Sequence, residues 1–193
     1  HEVFGLSLSI SEIDLSFMLG DLERRKKATI DKIIKEGIDR LNKAKTHPTV
    51  IHNIALVGSP GTAGFRDFAY HILHDEWMFR FNIEVFSASV QGKDAATQIS
   101  KAIKLADSTN PDVIVLVRGG GSPLDLDCFN DFNLAVEIGN CKSAVLTGIG
   151  HETDLCVADI VSHKYFKTPT DVGDYIVDIA SNFSSLLVEI ATK

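Results

Sequence analysis

The pattern of apolar and polar positions changes character along the 193-residue chain. Residues 2–14 alternate apolar and polar side chains, which is typical of a half-buried strand. Residues 20–47 place apolar side chains at helical spacing among many charges, so we predict an exposed amphipathic helix there. Gly37 lies inside that segment and is predicted to kink or end its first part, and Pro48 stops it.

After residue 50, short apolar runs alternate with helical patterns. The predicted strands span residues 53–59, 81–90, 112–118 and 143–150, and the predicted helices span residues 65–80, 93–107, 128–140 and 152–165, with one more helix after Pro169. Strands that are apolar on both faces are typical of a parallel sheet covered by helices. The predicted fold class is therefore α/β: a three-layer, Rossmann-like or flavodoxin-like open parallel sheet with helices on both faces, preceded by a strand and a connecting helix.

Composition narrows the class of protein. No apolar run approaches the ~18 residues that a membrane span needs, so no membrane partner is predicted. The three cysteines form no CxxC pair, which favours free thiols in a reducing cytoplasm. The formal net charge of -7 argues against a broad nucleic-acid surface, although an enzyme can confine its positive charge to one cleft.

Four glycine-containing loops follow the predicted strands, at residues 58–67, 87–94, 118–125 and 148–154. Right-handed crossovers bring such loops to one edge of the sheet, where ligands of open α/β sheets bind. In the third loop Arg118 precedes three glycines, whose backbone N–H groups can approach an anion closely. A flexible turn with a surface arginine is the alternative reading. The residues predicted to contact phosphate or DNA are Ser59, Gln91, Gly119, Gly120, Gly121 and Ser122.

The fourth loop carries a candidate for proton transfer. His151 and Asp154 lie three residues apart, on one face of a helix if that helix begins at His151. An imidazole can move protons near neutral pH, and a carboxylate can hold its tautomer. Asp67 either stabilises the start of its own helix or is a second carboxylate beside His151. His71 and His74 are spaced like metal ligands, but no further cluster completes a set, so no metal site is predicted there.

Five segments, taken in order, resemble the large subunit of exonuclease VII: residues 54–68, 85–99, 113–130, 144–161 and 168–176. The RGGGS and GHExD segments together are the specific part of this resemblance. It implies that residues 1–19 are a remnant of an N-terminal OB-fold, that residues 20–47 connect it to a catalytic α/β domain over residues 48–172, and that residues 173–193 begin a C-terminal helical, coiled-coil segment.

The resemblance also implies an activity. A family member would be a hydrolase, an exodeoxyribonuclease that degrades single-stranded DNA from both ends to short oligonucleotides, in the cytoplasm and with several copies of a small subunit as partner. It would need no cofactor or divalent metal. The family's catalytic positions correspond to Asp67, Arg118, His151 and Asp154, with His151 as general acid, general base or nucleophile.

Two other functions fit the same residues. One is a module that binds a nucleotide or sugar phosphate without hydrolysing it. The other is a magnesium-dependent nuclease with Asp67, Asp154 and Glu152 as metal ligands. Arg118 and His151 would have no evident role in such a metal site, so we favour the metal-independent nuclease.

Overall fold

The computed structural model of the chain describes residues 15–74, 79–119, 123–150 and 155–192. The strands are β1 (Asn53–Gly58), β2 (Asn82–Ser87), β3 (Val113–Val117), β4 (Ala144–Gly148) and β5 (Lys164–Phe166). The helices are α1 (Leu15–Lys35), α2 (Ile38–Leu41), α3 (Ala63–Leu73), α4 (Ala95–Ser108), α5 (Phe132–Asn140), α6 (Val157–Val161) and α7 (Pro169–Ala191), and a 3-10 helix (Pro123–Asn130) precedes α5.

The five strands form one parallel sheet in the order β2-β1-β3-β4-β5. Helices cover both faces, so the predicted α/β class with an open parallel sheet is confirmed. One apolar layer lies between the sheet and helices α1, α4, α5 and α6, and the other lies between the sheet and helices α3 and α7. All positions of β3 and β4 are buried, which is why their apolar runs are continuous rather than alternating.

Alternation along β3 decides which layer each side chain enters. Val113, Val115 and Val117 pack in the layer of α3 and α7, whereas Ile114 and Leu116 pack in the opposite layer. This period of two is the reason that a strand flanked by helices needs apolar residues at every position.

Three predicted helices differ clearly from the structure, and the first of them, predicted over residues 65–80, spans Ala63–Leu73. The predicted helix over residues 152–165 contains only α6, and β5 follows it as a strand that the sequence analysis missed. A three-residue strand is too short to show a pattern of its own; it is defined by parallel pairing to β4, next to the bond from His163 N to Val145 O (2.9 Å). The predicted helix over residues 128–140 is divided at Asp131, whose carboxylate caps α5 by accepting the Leu134 N–H (3.0 Å).

The connecting helix begins earlier than predicted, at Leu15, and its helical structure ends at Leu41, before the predicted end at residue 47. α1 starts at Leu15, so part of the segment assigned to a remnant of an OB-fold is helical, while the predicted strand before it lies outside the described residues. Gly37 separates α1 from α2 with a left-handed φ of 71°, as its position inside the pattern predicted.

α7 continues without a break across residue 172, where the sequence analysis placed the start of a C-terminal segment. Its first half packs on β4: a Cβ at Gly148 would lie 2.7 Å from Val172 Cγ2. Its second half exposes apolar side chains, among them Leu186, Leu187 and Ile190. Within the described residues, no helix is long and apolar enough to cross a membrane.

Candidate active site

Two clefts open at or beside the carboxyl edge of the sheet. The first, which we name the edge cleft, has a volume of about 420 Å³. It is lined by Ala63, Gly64, Asp67, Arg118, Gly119, Gly150, Lys167, Thr168, Pro169, Thr170 and Asp171. The second, which we name the α1 cleft, has a volume of about 610 Å³. It is lined by Arg25, Lys26, Thr29, Gly92, Lys93, Ala96, Asp125, Asp127, Cys128, Asn130, Asp131 and Phe132.

The edge cleft brings together three residues that the sequence analysis singled out. Asp67 comes from α3, and Arg118 and Gly119 come from the loop after β3. They meet because parallel strands end at the same edge and each following segment starts there. Asp67 is exposed, so its carboxylate is accessible to a ligand.

Arg118 is the most unusual charged side chain of this edge. It is only 3% exposed, and its ion pair with Asp125 is loose, with 3.6 Å between Nη2 and Oδ2. Nη1 is buried and has no hydrogen-bond partner within the described residues. A buried polar group without a partner destabilises a fold by about 1–3 kcal/mol, so such groups are retained where a ligand completes them. The backbone of Arg118 is fixed, because its N–H donates to Gly148 O (3.1 Å).

The glycine at position 119 has a packing role as well. A Cβ on Gly119 would lie 2.6 Å from Gly64 N, and a Cβ on Gly64 would lie 2.5 Å from Gly119 N. The loops after β1 and β3 therefore pack backbone against backbone, a closeness that no other residue type permits. The sequence analysis assigned the glycine to phosphate binding; this packing is a second reason for it.

The turn between β5 and α7 forms a wall of the edge cleft that the sequence analysis did not include. A capping box fixes this turn: Thr168 Oγ1 accepts the Asp171 N–H, and Asp171 Oδ2 accepts the Thr168 N–H, both at 3.1 Å. Lys167 precedes the box and is exposed at the cleft. The Thr-Pro-Thr-Asp order that starts at Thr168 was a readable signal for this helix start.

The remaining predicted site residues fall into two groups. Five of them, His151, Asp154, Gly120, Gly121 and Ser122, lie outside the described residues. The described part of the chain does show that α6 starts at Val157, after the non-helical Leu155 and Cys156, so α6 is not a continuous helix from His151.

Ser59 and Gln91 do not line the edge cleft. The carbonyl of Ser59 accepts bonds from the N–H and hydroxyl of Thr62 (3.0 and 2.8 Å). Gln91 is exposed and immediately precedes Gly92 and Lys93, which line the α1 cleft. The sequence analysis grouped these loops together because all of them follow strands; the packing separates them between two clefts.

A buried carboxylate holds the two flanks of residues 151–154. Asp159 Oδ1 accepts the Thr147 hydroxyl (2.6 Å) at the end of β4. Asp159 Oδ2 accepts the Cys156 N–H and thiol (3.2 and 3.0 Å) at the start of α6. Asp159 therefore ties β4 to α6, and all of its bonds serve the fold.

Cys128, His71 and His74 have local environments that the structure defines. Burial raises the pKa of Cys128, in the α1 cleft, to about 11, although Arg118 partly opposes the effect, so the thiol stays protonated at neutral pH. His71 Nε2 pairs with Asp174 Oδ1 (2.7 Å), and His74 stacks on Tyr70 with 4.2 Å between ring centroids. Among the described residues, no three His, Cys, Asp or Glu side chains are arranged to hold a metal ion.

The fold and the site together define a class. The chain is an α/β protein with an open parallel sheet, and its carboxyl edge carries a buried, incompletely paired arginine and an accessible carboxylate, groups that can bind an anion and move a proton. Comparison with known proteins then gives the family: the family model described as "Exonuclease VII, large subunit" matches residues 39–193. The chain belongs to this family.

Individual relatives agree with the family model. The chain is 36% identical over 151 residues to the exodeoxyribonuclease 7 large subunit of Campylobacter jejuni (strain RM1221), covering 78% of this chain and 38% of that protein. It is 32% identical over 173 residues to the protein of the same name from Thermotoga maritima, covering 86% and 43%. A third, from Campylobacter fetus, is 35% identical over 169 residues, covering 88% and 42%. The chain thus spans about two fifths of the length of these curated relatives.

Proposed function

We propose that this chain is the catalytic part of an exodeoxyribonuclease that hydrolyses phosphodiester bonds of single-stranded DNA from both ends and releases short oligonucleotides. Asp67, Arg118, His151 and Asp154 are its catalytic residues in this proposal. Two lines of support meet here: the relatives are named exodeoxyribonuclease 7 large subunit, and this chain carries the carboxylate and the arginine of the set at one cleft.

The observation that carries the proposal is the state of Arg118. A guanidinium that is 97% buried, with one unpartnered nitrogen within the described residues and an ion pair of 3.6 Å, has hydrogen-bonding capacity left for an anion. Two oxygens of a phosphate can accept two parallel N–H bonds from the guanidinium group. Asp67 is exposed at the same cleft. Its negative charge repels phosphate, but the carboxylate can accept a hydrogen bond from water or from an imidazole.

Hydrolysis requires charge neutralisation and two proton transfers. Water adds to phosphorus, the bond from phosphorus to the leaving oxygen breaks, one proton leaves the water and one reaches the leaving oxygen. Arg118 stabilises the negative charge that grows on the phosphate oxygens, an effect worth about 3–4 kcal/mol for one well-placed donor. His151 moves a proton between water and the leaving oxygen, or it first attacks phosphorus with loss of the leaving oxygen and water then breaks the phosphorus–nitrogen bond; Asp154 or Asp67 orients it.

The proposal extends to conditions and partners. Cleavage needs no divalent metal, because Arg118 supplies positive charge at the phosphate. In the full-length protein the partners are small subunits of the same enzyme, and the compartment is the cytoplasm, which suits three free cysteines.

The experiment uses labelled single-stranded DNA with the 193-residue chain and with a full-length version, each in magnesium and in excess EDTA, against double-stranded DNA. We expect release of short oligonucleotides from the single strand in both buffers. Activity lost in EDTA supports the magnesium-dependent nuclease instead. Saturable phosphate binding without any cleavage supports the binding module.

A His151→Ala variant tests whether His151 takes part in cleavage. Full cleavage by this variant in EDTA would refute a site centred on His151. Arg66→Met, which removes an exposed arginine from α3 that does not line the edge cleft, controls for general loss of positive charge.

A further inference from the structure

The α1 cleft lies beside the candidate site but is not needed for the chemistry. Asp125 lines this cleft and is also the residue that pairs with Arg118 (3.6 Å), so the cleft and the buried guanidinium share one residue. The loops after β2 and β3 contribute Lys93 and Asp127 to it, and α1 closes it from the side. The cleft thus lies between α1 and the segments that follow β2 and β3.

Positive charge is concentrated on that helix. α1 carries six of the 19 lysines and arginines of the chain within 21 residues, and three acidic residues, so its net charge is +3 in a chain of net charge -7. A basic stripe in an acidic protein attracts an anionic polymer to one surface and away from the rest. The sequence analysis predicted an exposed amphipathic helix here and did not connect its charges with the site.

The charged side chains that line the α1 cleft differ in how many ion pairs and hydrogen bonds they form. Lys26 and Lys93 form no ion pair within the described residues. Arg25 shares Asp21 with Arg24, and its side chain is 70% exposed. The acidic residues are more occupied: Asp131 caps α5 and Asp125 faces Arg118. The cleft is therefore lined by three basic and three acidic side chains, and two of the acidic ones, Asp125 and Asp131, already interact within the protein, whereas Lys26 and Lys93 have no ion pair among the described residues.

We propose that the α1 cleft binds the part of a single DNA strand next to the cleaved phosphodiester, with Arg25, Lys26 and Lys93 contacting successive phosphates. This inference rests on the proposed nuclease function and assigns the strand a path. A cleft of about 610 Å³ is within the ~300–1,000 Å³ typical of ligand sites. Asp125 lines this cleft and pairs with Arg118 (3.6 Å), so a strand held there would lie next to the residue that faces the buried guanidinium.

The test compares two triple variants of equal charge. One is Arg25→Gln, Lys26→Gln and Lys93→Gln together. The matched control is Lys101→Gln, Lys104→Gln and Lys142→Gln, three exposed lysines that line neither cleft. Both are made in the 193-residue chain, and circular dichroism checks that they fold. Affinity for a phosphorothioate single-stranded oligonucleotide, which keeps the charge but resists cleavage, is measured across a range of salt concentrations.

Counterion release gives the size of the effect. Each phosphate contact with a single strand contributes about 0.7 to the slope of log affinity against log salt. We expect the slope of the cleft variant to fall by about 2, and its affinity near 0.1 M salt to fall roughly tenfold to a hundredfold. The control variant keeps a slope close to that of the unmodified chain.

The outcomes separate this inference from the proposed function. Equal slopes for the two variants in a chain that cleaves single strands overturn the α1 cleft alone. Binding with the expected difference in slope but no cleavage overturns the nuclease function and retains the cleft as a strand-binding surface. No binding by the unmodified chain at the lowest salt overturns both.

Discussion

Polar side chains at the two edges of the sheet differ in how completely they are hydrogen-bonded. At the amino edge, Asp112 accepts the backbone N–H groups of His52 and Asn53 (2.8 and 2.7 Å). Asp107 accepts those of Lys142 and Ser143 (3.0 and 2.9 Å). At the carboxyl edge, Arg118 is more deeply buried than either carboxylate, yet it has a loose ion pair and an unpartnered nitrogen within the described residues.

This difference distinguishes polar groups that stabilise the fold from a polar group that remains available to a ligand. At the amino edge, Asp112 and Asp107 hold the starts of β1 and β4, because both carboxylates accept backbone N–H groups there. The carboxyl edge keeps hydrogen-bonding capacity unused, which lowers stability but leaves donors for a ligand. Substitutions at the two ends should therefore separate stability from activity.

The largest expected effect is on activity at the carboxyl edge. Arg118→Met removes the charge that balances the phosphate, so we expect kcat/KM on single-stranded DNA to fall by roughly a hundredfold to a thousandfold. The melting temperature should change little, because the substitution also removes an incompletely paired buried charge. Steady-state kinetics and thermal unfolding measure the two effects; a large drop in melting temperature would break the comparison.

The next effect is on stability at the amino edge. Asn42 is fully buried, and its side chain accepts Val145 N–H (2.8 Å) and donates to Ser143 O (3.1 Å), which joins α2 to the start of β4. Asn42→Ala leaves buried backbone groups unpaired, so we expect a loss of roughly 2–3 kcal/mol in the free energy of unfolding. Urea unfolding measures it, and the activity per folded molecule should be retained.

Asp159 sharpens the comparison, because it lies near the carboxyl edge and yet is saturated by Thr147 and Cys156. Asp159→Asn keeps the shape but places an N–H₂ group where an oxygen accepts two donors. We expect a loss of roughly 1–2 kcal/mol in the free energy of unfolding, measured by urea denaturation. An unchanged stability would mean that this network does not serve the fold as its geometry indicates.

The smallest expected effect is the pH dependence contributed by His163 at the start of β5. Burial lowers its pKa from 6.5, with smaller contributions from His47 and Lys164. The unfolded chain therefore binds the proton more tightly than the folded one. The stability contributed by the neutral ring is complete above about pH 6.5 and is lost as the pH falls through the lowered pKa.

Melting temperatures measured between pH 8 and pH 5 test this assignment. The unmodified chain should lose more stability on acidification than His163→Gln, which cannot titrate. Equal losses in the two proteins would assign the effect to other groups. His163 lines neither the edge cleft nor the α1 cleft, so we expect His163→Gln to keep the cleavage activity of the unmodified chain.

The apolar pattern predicted most of the fold. Continuous apolar runs at β3 and β4 were sufficient to indicate a covered parallel sheet, and Gly37 marked the end of α1. The strand β5 was not predictable in this way, because three residues with exposed or half-exposed side chains become a strand only by pairing with β4. The division between the 3-10 helix and α5 depends similarly on one cap at Asp131.

Arg118 and Asp67 could be singled out from the sequence because a charge directly after an apolar strand, and a carboxylate after a glycine loop, are visible in one dimension. Three features depend on segments far apart in the chain: the two residues share a cleft, the Arg118 side chain is buried, and Lys167 lines the same cleft. The sequence by itself determined most of the helices and the four longer strands, and it indicated the edge of the sheet that carries the candidate site, since both follow from local periodicity and the handedness of crossovers. Only the tertiary structure decided which polar groups are satisfied, because hydrogen-bond partners come from long-range packing.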